Sequence, residues 1–400
     1  MKRQVYLEVL LLLIPALSFA GWVSQNSGAA FALSAVHFPV DDQTGFVVGF
    51  SGTLVATTNG GTNWSPQTSG VTSTLNSVHF PVDVLTGYAV GGGGTIVATT
   101  NGGANWATQT SGTTNGLSSV QFPVNALTGF AVGDSGRILA TTDGGATWTR
   151  QTSGTTNWLN SIHFPLDALT GYTVGRSGTI RKTTDGGANW ATQTSGTTNV
   201  LTCVQFPVDA QTGYITVSNG TVRKTTDGGA NWASLNSGTS NPLTSVCFPV
   251  DIQTGWVVGA GGLIRKTTDG GATWTPQASG TSNILNGVYF PTNAQTGYIA
   301  GGSGSGSTIL KTTDGGIGVE ERPGGEGRSP VAGFKASPNP FRSSARIPGH
   351  EAERFALYDV SGRRVGTCQG DRIGADLAPG VYFLKSGGQD ARPLRIVKIR

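Results

Sequence analysis

The sequence predicts an all-β fold: a seven-bladed β-propeller with four strands per blade, then a small C-terminal β-sandwich. Three observations predict it. Trp22, Trp64, Trp106, Trp148, Trp190, Trp232 and Trp274 recur every 42 residues, and a fixed period of that length marks an array of supersecondary units. Each period holds four short alternating runs joined by hairpin-length turns and no helical spacing, which reads as one antiparallel blade. Finally, the two ends of the array complete each other, as a ring requires and a row does not.

Ahead of the array, Met1-Lys2-Arg3 is a positive start, Val9–Ile14 an apolar run, and Ser18-Phe19-Ala20 a small-residue cleavage pattern. Residues 1–20 therefore read as a secretory signal peptide, after whose removal no segment has the length of a transmembrane helix.

Blade 4 shows the unit. Leu159–Phe164 alternates and reads as strand a, and Pro165–Gly171 is a turn rich in Pro, Asp and Gly. Tyr172-Thr173-Val174 reads as strand b, Gly175–Gly178 as a tight loop, Thr179–Thr183 as strand c and Trp190–Gln193 as strand d. The c–d turn, Thr183-Thr184-Asp185-Gly186-Gly187, needs a side-chain oxygen to hold its N–H groups and glycine where φ is positive. It recurs in every copy, with Asn59 and Asn101 in place of Asp in the first two. The seventh copy, Thr312–Gly316, is followed by Val319 where Trp belongs, while Trp22–Gln25 is a strand d with no a, b or c before it. The N-terminal strand is expected to complete blade 7, leaving no open sheet edge between the ends. The propeller is assigned to residues 21–318.

Alternation puts the a–b and c–d turns on one face and the d–a and b–c loops on the other. The first face is nearly identical from copy to copy. On the second, the b–c position holds Phe50, Gly92, Asp134, Arg176, Ser218 and Ala260, with an insertion within Gly301–Ser307 in blade 7; the d–a position holds Ala32, Thr74, Gly116, Trp158, Val200, Pro242 and Ile284. Binding residues concentrate on loops held by a rigid scaffold, so Phe50, Asp134, Arg137, Trp158 and Arg176 are the candidate ligand-binding residues, with ordinary surface variation as the alternative.

Charge is uneven. No Lys or Arg occurs from residue 4 to 136, whereas strand c carries Arg181-Lys182, Arg223-Lys224 and Arg265-Lys266, with Lys311 following. That sector could steer an acidic partner or simply place charges on outer strands. Residues 21–319 hold 10 Lys+Arg against 12 Asp, so the basic balance comes from the tail and nucleic acid is not an expected partner. His37, His79, Gln121, His163, Gln205, Cys247 and Tyr289 share one strand-a position; hydrogen-bonded packing between blades is expected there, not a metal. Cys203, Cys247 and Cys368 have no metal or redox spacing. No cofactor motif is present, and a monomer is expected.

Residues 319–333 read as a linker. Residues 334–400 carry alternating runs, Phe355–Val360, Val381–Leu384 and Ile396–Lys398, broken by Ser361-Gly362 and Pro379-Gly380.

These motifs carry resemblances. Thr-x-Asp-x-Gly-x-x-Trp is similar to the Asp-box of the bacterial neuraminidase repeat families. Thr170–Gly175, Gly178–Gly187 and Trp190 resemble the photosystem II assembly-factor propellers and their non-photosynthetic relatives over residues 21–318. That implies a seven-bladed scaffold binding protein partners, without implying a photosystem role. Ser337-Pro338-Asn339-Pro340-Phe341 and the later motifs resemble the C-terminal sorting domain of the type IX secretion system, implying export across the outer membrane. Sialidases and glucanases also use Asp-box propellers, but glycoside cleavage needs two acids or a Tyr–Glu pair, and no Glu occurs from residue 9 to 319. The expected function is non-catalytic binding of a protein or glycan outside the cell; the alternatives are a carbohydrate-active hydrolase and a repeat adhesin.

Overall fold

The structure, a computed structural model, describes residues 21–304 and 306–316 and, in the C-terminal part, 354–359, 364–369, 372–373, 377–378, 380–386 and 394–398. The chain divides between Glu320 and Glu321 into two compact units. The expected signal peptide and linker, and the Ser337–Phe341 motif, lie outside the described residues.

The first unit holds seven four-stranded antiparallel sheets, each in the order a-b-c-d. In blade 4 the strands are Leu159–His163, Gly171–Gly175, Thr179–Thr183 and Ala191–Thr194. Strand d thus starts just past the tryptophan, which stands at the exit of the c–d turn. The strands a contact one another around a closed cycle, that of blade 7 meeting that of blade 1. Strand b is buried along its whole length in blades 1 to 6 and along all but its last residue, Ser303, in blade 7. Runs such as Phe46-Val47-Val48 are therefore apolar on both faces rather than alternating, and the buried Thr173 hydroxyl is satisfied by the Ser161 carbonyl.

Blade 7 closes as expected. Val23–Gln25 pairs antiparallel with Gly306–Thr312, Val23 opposite Lys311 and Gln25 opposite Ile309. Trp22 is 5% exposed, donates its indole N–H to Gln277 Oε1 at 2.8 Å and meets Phe290 edge-on at 5.9 Å. The blade 7 insertion lengthens the b–c hairpin to Gly297–Ser303 and Gly306–Thr312, and Ser307 donates to the Ala29 carbonyl and bonds Ser27. The insertion therefore holds the segment leading into blade 1.

Every interface repeats one aromatic arrangement. A strand-b ring stacks on the Phe ending strand a of the next blade, and that Phe meets its own blade's Trp edge-on. Tyr88, Phe122 and Trp148 do so at 3.8 and 6.0 Å; between blades 6 and 7 the three are Trp256, Phe290 and Trp22. Such geometries add to the area buried.

The C-terminal unit contains one antiparallel sheet in the order Arg364–Gln369, Arg354–Asp359, Gly380–Ser386, Leu394–Lys398. The second layer that a sandwich needs is not among the described residues.

Replacing the buried Trp22 by Ala should cost about 3–5 kcal/mol and lower the urea midpoint, whereas the same change at the exposed Trp158 should stay within about 0.5 kcal/mol. Equal midpoints for the two variants would mean that the N-terminal strand does not hold the ring shut.

Candidate functional site

The two variable loop positions turn out to be one. In each blade the b–c residue donates its backbone N–H to the d–a carbonyl: Phe50 to Ala32, Gly92 to Thr74, Asp134 to Gly116, Arg176 to Trp158, Ser218 to Val200, Ala260 to Pro242 and Gly302 to Ile284, at 2.8–3.0 Å. Seven two-residue sites therefore circle this face, and a short turn fixes each. In blades 1, 3 and 4 that turn puts Ser51, Ser135 and Ser177 at φ 54–55°, where blades 2 and 6 use Gly93 and Gly261, since only glycine is unstrained there.

Of the five candidate residues, the structure joins two. The Arg176 guanidinium lies 3.6 Å from the centroid of the Trp158 ring, with Trp158 41% exposed. Phe50 is 48% exposed but stands in blade 1. Asp134 is half-buried in blade 3 and folds over Gly116, its Oδ2 lying 2.8 Å from where a Cβ on that glycine would stand. Arg137 belongs to blade 3. It begins strand c and lines a groove with Gly94, Gly112 and Asn115 beneath the preceding d–a connection, and the neighbouring Arg150 helps press its pKa down after burial does so.

The basic sector needs a larger correction. Successive strand residues face opposite sides of a sheet, so each Arg-Lys pair is split between two interfaces. Arg223 and Arg265 reach back to the Gly196 and Gly238 carbonyls of the preceding connection at 2.9 and 2.7 Å, and Arg181 likewise bonds Gly154. Lys182 and Lys224 reach forward to the Gly228 and Gly270 carbonyls of the next blade's c–d turn at 2.8 and 2.9 Å. Lys266 does the same to Gly315 at 3.1 Å. These half-buried cations tie blades together and are not a free stripe aimed at a partner.

The polar ring on strand a is likewise structural. Strand a is the inner edge of each blade, and an unpaired edge needs partners. The preceding blade supplies them. His79 and His163 Nδ1 accept the Phe122 and Phe206 N–H groups, each at 3.3 Å; Gln121 bonds both the N–H and the carbonyl of Phe164; His37 Nε2 meets the Phe80 carbonyl at 3.1 Å. Lower on the strand, Asn76, Asn160 and Asn286 donate to the Leu117, Leu201 and Leu33 carbonyls. Burial drives His37 and His163 down to about 4, and His79 well below its ordinary value, so all three are neutral. Among the described residues no cluster of three or more His, Cys, Asp or Glu could hold a metal. Cys203 and Cys247 are unpaired, and burial raises both thiols, Cys247 to about 12.

On the opposite face, the c–d turn works through its first Thr and its acid. Thr141 donates to Asp143 Oδ1 at 2.8 Å and accepts the Gly145 N–H at 2.9 Å, while Thr147 donates to Asp143 through both N–H and hydroxyl. These bonds, the Thr147 hydroxyl first, hold Asp143 at about 2; Asp227 and Asp269 sit at the same value for the same kind of reason. Asn59 and Asn101 make the equivalent bonds without titrating. The repeated Asp is a turn residue. The sequence pattern missed the interface roles of Arg and Lys because it read strand c by charge alone; the period-2 rule applied to the Arg-Lys dipeptide would have separated them.

Two acid transitions are expected, with the signs fixed by these shifts. The three histidines have folded pKa values below 6.5, so the stability they contribute is complete above 6.5 and falls as pH drops from there, for His37 and His163 towards about 4. The turn aspartates lie below their unfolded value, so their contribution is lost as pH falls from about 4 to about 2. Urea midpoints measured against pH check this. His163→Gln should flatten only the upper window, since Gln121 already fills the same role, and Asp143→Asn with Asp227→Asn only the lower.

The family model described as Photosynthesis system II assembly factor YCF48 matches residues 14–114, 64–153, 106–194 and 192–278. No curated protein matches. Among solved structures, one described as YCF48 bound to D1 peptide aligns with a TM-score of 0.61 and 20% identity over 76% of this chain and 99% of that one. YCF48 from Cyanidioschyzon merolae aligns with the same TM-score and identity over 73% of this chain and 98% of that one. At that identity the structures speak for the seven-bladed fold, while the family model spans well over half of the chain: the protein belongs to the YCF48 photosystem II assembly-factor family.

Proposed function

We propose that this protein is an exported, non-catalytic scaffold that binds a polypeptide partner on the face formed by the seven paired d–a and b–c positions. The observation that carries this reading is the exposed Trp158–Arg176 stack. An aromatic ring with a guanidinium laid on it joins apolar area to a fixed cation, the combination that dominates protein interfaces. The stack favours protein over glycan, because the guanidinium already covers one face of the indole that a sugar ring would use. The structure described as YCF48 bound to D1 peptide supports a polypeptide ligand for this kind of propeller. A hydrolase is disfavoured by the supply of acids: Asp134 is the one acid at the paired positions, and glycoside cleavage takes two carboxyls or a Tyr–Glu pair.

The export reading rests on sequence: the leader at 1–20 and the motifs of residues 334–400 support passage through the type IX machinery to the cell surface or medium. Removing residues 334–400 should then leave the protein in the periplasm, as followed by fractionation; unchanged surface delivery would refute the sorting role.

Binding is tested by screening the full-length protein against displayed peptides and a glycan array. Trp158→Ala and Arg176→Ala should each weaken peptide binding by about tenfold or more with the urea midpoint unchanged. Binding confined to glycans, or turnover of a glycoside, would overturn the reading.

A further inference from the structure

The seven interfaces can be compared position by position on the face of the c–d turns, opposite the Trp158–Arg176 stack. At each one, the strand-b ring of one blade faces two carbonyls of the next: one in its a–b turn, one on the first glycine of its c–d turn. A tyrosine hydroxyl serves both at four interfaces. Tyr88 bonds the Ala126 and Gly144 carbonyls at 2.7 and 3.2 Å, Tyr172 those of Ala210 and Gly228, Tyr214 those of Ile252 and Gly270, and Tyr298 those of Asp42 and Gly60. In blades 4 to 7 a strand-c lysine also reaches the glycine carbonyl, its ammonium 4.8–5.6 Å from the aromatic centroid.

Between blades 1 and 2 the chain supplies neither donor. Phe46 stands at the tyrosine position and Ala56 at the lysine position. The Gly102 turn is nonetheless held as in the other blades, its N–H on the Leu85 carbonyl at 2.9 Å as Gly228 N–H is on Gln211. A cavity of about 380 Å³ opens there, lined by Phe46, Ala56, Asn59, Gln67, Val84 and Gly102 among others.

We propose that this crevice binds a primary ammonium group, either the side chain of a lysine or a free alkylamine. The protein itself provides the precedent: at four other interfaces the same carbonyl, beside the same aromatic position, takes a lysine ammonium from within the chain. At this one the Phe46 ring face attracts the cation, and the Val84 and Gly102 carbonyls accept its N–H groups in a charge-assisted pair. Gln67, whose Oε1 lies 3.5 Å from where a Cβ on Gly103 would stand, offers a further acceptor. The site requires an N–H donor and a charge, so a neutral amide should not replace an ammonium. It lies on the other face from the Trp158–Arg176 stack and stands or falls independently of it.

The full-length protein is titrated with n-butylammonium, with acetyl-Gly-Lys-Gly-amide and with the same peptide acetylated on the lysine Nζ, following the Gly102 and Gly103 amide resonances. Saturable shifts are expected with both charged probes and not with the acetylated one. Ala56→Lys places the chain's own ammonium in the crevice, as blades 4 to 7 do; it should fold, keep or raise the Tm, and weaken probe binding by about tenfold or more. Phe46→Tyr, whose hydroxyl takes both carbonyls, should weaken it too. Tighter binding of the peptide than of butylammonium assigns the site to lysines of a partner, and equal binding assigns it to small amines. No saturable shift with either charged probe, an equal response to the acetylated peptide, or undiminished binding in both variants would overturn the proposal.

Discussion

A Phe at the end of each strand a is the contact on which the ring depends. Phe122 is 1% exposed and touches three things at once: Tyr88 of the preceding blade, Trp148 of its own blade, and Gly129 at the start of strand b. A Cβ on Gly129 would stand 2.4 Å from the Phe122 ring, closer than any side chain tolerates. The invariance of the Thr-Gly-aromatic triplet across the copies follows from that one ring: the glycine makes room for it, and the aromatic residue after the glycine stacks on the Phe of the next blade. Since the seventh Phe, Phe290, finds its Trp only in Trp22, closing the ring is the same act as completing the last triad.

How far the sequence was legible follows from this repetition. The 42-residue spacing of the tryptophans, the strand count and the orphan strand at Val23–Gln25 were readable because each is a pattern along the chain. The distribution of loops between two faces was readable from antiparallel alternation alone. What escaped were relations between copies one period apart. Val120, Ile162, Val204 and Val288 each donate the strand-a N–H to a serine 43 residues earlier, and no local window shows such a bond. The same holds at the functional face. Trp158 and Arg176 could be named as variable, but their union depends on a backbone bond between two loops. Arg137 could likewise be named, but the groove it lines with the preceding d–a connection depends on two copies coming together.

Strand c shows how charge misleads when it is read without geometry. In solution an Arg-Lys dipeptide is a doubly charged surface feature. In a sheet packed on both faces by other blades it becomes two separate anchors, Arg to the connection behind and Lys to the turn ahead. Burying an ammonium is costly unless its donors are satisfied. Here the aromatic ring beneath it and the carbonyl in front of it meet that requirement, and its aliphatic stem covers apolar surface between the blades.

The polar ties are unevenly distributed around the ring. Every blade but the seventh is made of consecutive chain, so covalent continuity holds its four strands in one hairpin series. Blade 7 alone relies on pairing with a remote strand. Polar ties stand on either side of it. Lys266 and Gln277 both donate to Gly315, and Trp22 to Gln277. Beyond it, Tyr298 and Lys311 converge on the Gly60 carbonyl, and Asn286 reaches Leu33. The interfaces led by Phe46, one blade from the seam, and by Phe130, opposite it, carry the aromatic stack without a hydroxyl or a lysine, whereas those led by Tyr172 and Tyr214, within continuous chain, carry both. A net hydrogen bond contributes about 0.5–1.5 kcal/mol, so the several beside the one junction that lacks continuous chain raise the cost of opening it. The interfaces led by Phe46 and Phe130 keep the aromatic stack without these two donors, and it is at the first of them that the crevice of Phe46 and Gly102 is found.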